Sequence, residues 1–142
     1  MAGYYKLSLV LAFVAGCNLQ IPNAGPPQTD CGNDDPRVGQ TAVLEGYFHG
    51  VSGTARIVDN CTIVIENFSY DGGGGEVHVI VSPDSDYRNN AKSLTGQIAQ
   101  KGSYNNVTMT LPLPAGVTLD DVHNISIMCL SFGINFGEGT FQ

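Results

Sequence analysis

The chain has no tryptophan and few bases: Lys and Arg number 6 against 13 Asp and Glu, a formal net charge of −7. Nucleic-acid binding needs Lys and Arg to displace counterions from phosphates. Nothing here forms a basic stripe, so that class is excluded, and the same argument counts against an anionic membrane surface. The histidines, His49, His78 and His123, have no ligand-like spacing such as HxxxH, and there is no CxxCH. No metal or other cofactor is therefore expected. Gly72–Gly75 lacks the Lys-Ser/Thr and following helix of a phosphate loop. No Ser-His-Asp set, glycosidase-like carboxylate pair or zinc triad can be assembled from spacing. No apolar run reaches the roughly 20 residues that a spanning helix needs, so no transmembrane helix is expected once the leader is removed.

The leader itself is clear. Met1–Lys6 carries one positive charge and no acid, residues 7–15 (LSLVLAFVA) are apolar apart from Ser8, and Ala15 and Gly16 follow. This is the layout of a secretory signal over residues 1–16, with the mature chain starting near Cys17. Val14-Ala15-Gly16-Cys17 also fits a bacterial lipobox, with lipid on Cys17; a plain signal peptidase could cut the same bond. Against a bacterial origin stand four sequons, at Asn60, Asn67, Asn106 and Asn124, acceptors only if the source is eukaryotic. Both readings place the protein outside the cytoplasm, secreted or lipid-anchored to the envelope, and the kingdom stays open.

Residues 17–39 are rich in Pro, Gly, Asn and Asp without apolar periodicity, which predicts a flexible tether. A single domain follows over 40–142. Its signals are strand-like: Glu76–Ser82 sets Val77, Val79 and Val81 on one face and His78 and Ile80 on the other, and Val107, Met109 and Leu111 alternate with Thr108 and Thr110. Short runs punctuated by Gly, Asn, Asp and Pro, with no helical period, predict an all-β fold of about seven to nine strands. Two packed antiparallel sheets, a jelly-roll-like sandwich, are the natural solution; a partly open barrel is the alternative. Val79, Val81, Met109, Leu111, Ile127 and Phe136 are the expected core.

A chain beginning at Cys17 keeps four cysteines, which allow three pairings, and export exposes them to oxidising conditions. Cys17 and Cys31 fall in the tether, Cys61 and Cys129 in predicted strands. That division favours a Cys61–Cys129 disulfide; if Cys17 carries lipid, Cys31 is the odd one. A redox thiol wants a nearby cation, a helix N-terminus or a CxxC partner, and the sequence around Cys129 supplies none. The residues alone favour a structural cysteine.

Several stretches together resemble the DM-thirteen (electron-transfer DM) family: Gly46-Tyr-Phe-His-Gly-Val-Ser-Gly-Thr54, Asn67-Phe-Ser-Tyr-Asp-Gly72, Asp86-Tyr-Arg-Asn89, Leu113-Pro-Ala-Gly116, and Ile127-Met-Cys129 followed by Phe132 and Asn135-Phe-Gly137. The sequence departs from the family's pattern at Gly75-Glu76, where Gly-Pro is common, and at Met128, where Trp is common. The resemblance implies a β-rich domain with a proposed electron-transfer role built on one cysteine near the C-terminal end, which maps onto Cys129. His49 is the candidate neighbour of that thiol, and the implied partner is an electron-partner protein. The alternative is a non-catalytic extracellular or envelope module that binds a surface ligand through its loops.

Overall fold

A computed structural model describes residues 31–142. The predicted leader, Cys17 and the first part of the tether lie outside the described residues. Nine strands form two antiparallel sheets: β1 (Thr41–Val43), β2 (Glu45–Gly46), β3 (Ser52–Asp59), β4 (Thr62–Tyr70), β5 (Val77–Ser82), β6 (Lys92–Ser93), β7 (Tyr104–Pro112), β8 (Asn124–Cys129) and β9 (Ile134–Thr140). One sheet has the order β1-β3-β4-β7 and the other β2-β9-β8-β5-β6. The two sheets stack as a sandwich and do not close into a barrel. Residues 92–101 form β6 followed by bends and a turn. A 3-10 turn, Leu119–Asp121, carries a capping box from Thr118 and Asp121.

Alternation builds the core. Ile57, Ile63, Ile65, Val77, Val79, Val81, Ile125 and Ile127 are fully buried between the sheets, each contributing about 1.5–3 kcal/mol relative to exposure. Leu111 and Phe136 are buried as expected, while Met109 is half-buried and packs against the core. Leu44 is buried at the corner between β1 and β2, where the chain passes from one sheet to the other.

The fourth strand is irregular. In β4 the pairing with β7 shifts between Ile65 and Phe68, and Asn67 has φ 54°. Side chains in a strand alternate faces, so a regular β4 that buries Ile63 and Ile65 would also bury Asn67 and Ser69. The extra residue of the bulge changes the parity. Phe68 and Tyr70 turn inward instead, and both are buried.

Two expectations need correction. Cys61 pairs with Cys31, with Cα atoms 5.1 Å apart, and Cys129 is a free buried cysteine. The reason is topological. Cys61 precedes the first residue of β4, whereas Cys129 lies near Tyr70 at the other end, separated by about 30 Å of strand at roughly 3.3 Å per residue. Second, residues 31–39 are anchored rather than free. Besides the disulfide, Arg37 bonds Asp35 (2.7 Å) and Asp120 (3.0 Å), Asn60 donates to Asp34 (2.7 Å), and the Gly39 N–H donates to the Ile57 carbonyl (2.8 Å). His78, on the face of β5 opposite its valines, is buried as well. Both faces of β5 and β8 are buried, and His78 bonds Ser93 at 2.8 Å.

Candidate functional site

Cys129 is the last residue of β8 and continues the inward series Ile125, Ile127. It is 1 % exposed. The turn after it closes at Gly133, with φ 64°, and folds its backbone back onto the sulfur. The N–H groups of Ser131, Phe132 and Gly75 are directed to Sγ. The Ser131 hydroxyl lies 3.7 Å from Sγ. Burial pushes the thiol up, but the Gly75 N–H, the Ser131 hydroxyl and the turn N–H groups outweigh it, leaving Cys129 below its ordinary value. The activating agent is a nest of backbone dipoles, not a cation.

Gly72–Gly75 forms a strap whose last residue, Gly75, directs its N–H to the sulfur. A Cβ on Gly73 would stand 2.8 Å from the His49 ring, one on Gly74 3.0 Å from the Phe136 ring, and one on Gly75 2.3 Å from Ser131 Oγ. Glycine is what lets this backbone lie so close to the His49 and Phe136 rings and to Ser131. Side chains hold the strap from below and beside it. The Tyr70 hydroxyl donates to the Gly73 carbonyl, Gln97 Nε2 to the Gly75 carbonyl (2.7 Å), Gln100 Nε2 to the Gly74 carbonyl (3.2 Å), and the Gly73 N–H to Asp71 (2.7 Å). The tetraglycine run is the visible signal for this element, although by itself it reads only as a wide turn.

Beneath the strap lies an aromatic cluster. Tyr70 stacks on Tyr104 at 5.8 Å and tilts against Phe136 at 6.3 Å. Burial, followed by the charges of Asp71 and Cys129, pushes the Tyr70 phenol up to about 12. Tyr70 therefore stays a neutral hydrogen-bond donor. His49 sits 4.3 Å from Phe136, ring to ring, with Nδ1 3.0 Å from Asp71. The structure thus brings His49 to the strap through Asp71 and Gly73, yet among the described residues no hydrogen bond joins His49 to Cys129. The Gly73 N–H is the main reason Asp71 lies below the usual carboxylate range, with His49 a smaller one.

Other predicted positions are dispersed. Asn67 and Asn106 are exposed at bulges, with φ 54° and 51°. Asn60 is half-buried beside the Cys31–Cys61 disulfide, its side chain bonded to Asp34 and Asp35. Asn124 is buried and accepts from Thr140 at 2.7 Å. A separate groove of about 460 Å³ lies on the outer face of β8, walled by Tyr87, Arg88, Met128 and Leu130. Cys129 faces the opposite side of that sheet. Among the described residues no group of three or more His, Cys, Asp or Glu side chains is placed to hold a metal ion, and no helix is long and apolar enough to cross a membrane.

Comparison with known proteins places this arrangement. Two Drosophila melanogaster proteins, Protein Skeletor isoforms B/C and isoforms D/E, are each 36% identical over 106 residues, covering 67% of this chain. The chain spans only 13% and 7% of their lengths. No solved structure matches. The family described as Electron transfer DM13 matches residues 43–141. That range runs from the end of β1 through β9 and takes in the strap, the turn and the free thiol, so the chain belongs to the Electron transfer DM13 family.

Proposed function

We propose that this domain carries electrons on the Cys129 sulfur, in an oxidising compartment outside the cytoplasm. The observation that carries the reading is the nest: three backbone N–H groups and a hydroxyl aimed at a free cysteine, lowering its pKa. The thiolate is the reactive form of cysteine, and a structural core cysteine has no need of such donors. The Cys31–Cys61 disulfide supports the compartment. In the oxidising half-cycle the sulfur gives two electrons to an incoming oxidant. It does so either by taking an oxygen atom from a hydroperoxide or by displacing one thiolate from a disulfide. In the reducing half-cycle two electrons from thiols restore the Cys129 thiolate. An electron-partner protein would supply or drain those thiols.

The test is reversible modification of the full chain. Under stepwise oxidation, then reduction, peptide mapping is expected to find Cys129 changed and recovered, with the Cys129→Ser variant inert. A Cys129 that stays a thiol until the protein unfolds would end the redox reading. A binding module without redox chemistry would then take its place, drawing on the exposed rings of Phe48 and Phe132, 55% and 71% exposed.

A further inference from the structure

The two sheets leave four strands at their edges, β1, β2, β6 and β7. An edge strand presents a row of unpaired N–H and C=O groups that another chain can pair with, and short length or charge normally blunts it. β1 has 3 residues, and β2 and β6 have 2 each, with Glu45 in one and Lys92 in the other. β7 is 9 residues long and pairs, among the described residues, with β4 alone. Residues 102–119, which contain it, include no Asp, Glu, Lys, Arg or His, in a chain of net charge −7. The open edge is bounded at both ends. Asn106, at φ 51°, turns its N–H to Ser69 Oγ at 3.0 Å, and Pro112 has no N–H. Just past that end the Leu113 N–H donates to the Cys61 carbonyl at 2.7 Å. Successive residues of an antiparallel strand turn their backbone groups to opposite sides. Leu111 and Met109 therefore bond β4, while Thr110 and Thr108 direct N–H and C=O to the open edge. The core face is open there as well. Val107, opposite buried Phe68, is 37% exposed, and Met109, opposite buried Ile65, is half-buried.

We propose that β7 is a self-pairing edge, through which two copies of this chain join antiparallel about a two-fold axis at Met109. The ends of the open segment select the register. Thr108 of each copy stands against Thr110 of the other, and main-chain bonds form on both sides of the axis. A shift by two residues in either direction brings Pro112, without an N–H, or Asn106, whose N–H is already bonded to Ser69, into the ladder. The same register sets Met109 against Met109 of the second copy and Val107 against Leu111. The core-face side chains left open in one copy are thereby covered by the other. On the outer face Thr108 and Thr110 form cross-strand pairs. A second copy is the occupant because the edge is neutral and symmetric about Met109. Two acidic chains can meet along it without setting like charges opposite one another, and a basic partner would find no acid on it to pair with. The pairing does not depend on the chemistry of Cys129.

The experiment is sedimentation equilibrium of the full chain, made in a host that adds no glycan to the Asn106 sequon, from about 10 μM to about 1 mM. A dimer is expected to build up across that range, since the interface is small. Thr110→Lys, at an exposed position, should weaken the dimer by about tenfold or more, because it replaces both Thr–Thr pairs and brings two like charges together across the axis. Register is read by oxidative cross-linking. Met109→Cys sets two cysteines at a non-hydrogen-bonded pair, about 4.5 Å between Cα atoms, within the span of a disulfide, and should link the copies. Thr110→Cys faces Thr108 of the second copy and should link no more than wild type, which reports any bond made through Cys17 or Cys129. Should Met109→Cys prove unfolded by circular dichroism, the Thr110→Lys comparison decides alone. A chain that is monomeric at about 1 mM overturns the proposal and leaves the edge to an unlike partner. A dimer that Thr110→Lys leaves unchanged overturns it, as does cross-linking of Thr110→Cys equal to that of Met109→Cys.

Discussion

Breaking the Cys31–Cys61 link is expected to cost most of a small domain's stability margin. The bond joins residues separated by 30 positions. In the chain-entropy model, closing a loop of that length removes about 12 cal/mol/K from the unfolded chain, or about 3.6 kcal/mol at 25 °C. The native side offers little to offset the loss. Residues 31–39 would be retained by Arg37–Asp35, Arg37–Asp120 and Asn60–Asp34 contacts, which involve partly exposed groups worth little each. Cys31→Ser with Cys61→Ala keeps the buried Cys61 position apolar. Urea unfolding followed by circular dichroism should show a midpoint lower by about 2–3 M, taking an m value of about 1.2–1.8 kcal/mol/M. The reduced wild-type protein should unfold at the same point as the double variant. A midpoint change below about 0.5 M would refute the reasoning. It would mean that residues 31–39 are already confined near Cys61 in the unfolded ensemble, or that the bond is not formed.

Further outcomes concern the core and the site. Ile127→Ala, at a fully buried position in the middle of β8, should cost about 2–5 kcal/mol in the same assay. Gly74→Ala combines a φ of +107° with a Cβ 3.0 Å from Phe136, and should cost about 1–3 kcal/mol, read as a fall in thermal midpoint. The alkylation rate of Cys129 by a small reagent should rise with pH and level off at a lower pH in the folded chain than in the chain unfolded by urea, because the folded pKa is lowered. The same shift sets a sign for stability. The thiolate's contribution is fully present above the unfolded value and is lost as pH falls through the folded one. A Cys129→Ser variant should lose that part of the pH dependence, as seen by thermal unfolding at several pH values.

Period-2 alternation was enough to reveal the strands, because a buried sheet face demands it. The spacing of Val77, Val79 and Val81 and of Ile125 and Ile127 placed the core without coordinates, and the alternation carries Cys129 inward as well. The absence of any helical period settled the fold class. Cys129 was legible as the candidate cysteine from the motif around it. Its activation was not, because a backbone nest leaves no residue type behind: Gly75, Ser131 and Phe132 contribute N–H groups that any residue but proline carries.

Local sequence thus determined the strands, the burial of Cys129 and the glycine run, all of which depend on alternation or on one residue's own geometry. Three things were decided only by tertiary structure. Cys61 bonds Cys31 and not Cys129, because the sheet order sets Cys61 and Cys129 at opposite ends of β4 while residues 31–39 fold back beside the β3–β4 turn. Tyr70 faces the thiol because a bulge at Asn67, fixed by pairing with β7, shifts the parity of the strand's second half. The Gly75 N–H reaches the Cys129 sulfur because β5 pairs with β8 in a register that sets Val77 opposite Cys129. Register and strand order are properties of the assembled sheets, and no stretch of a single strand encodes them.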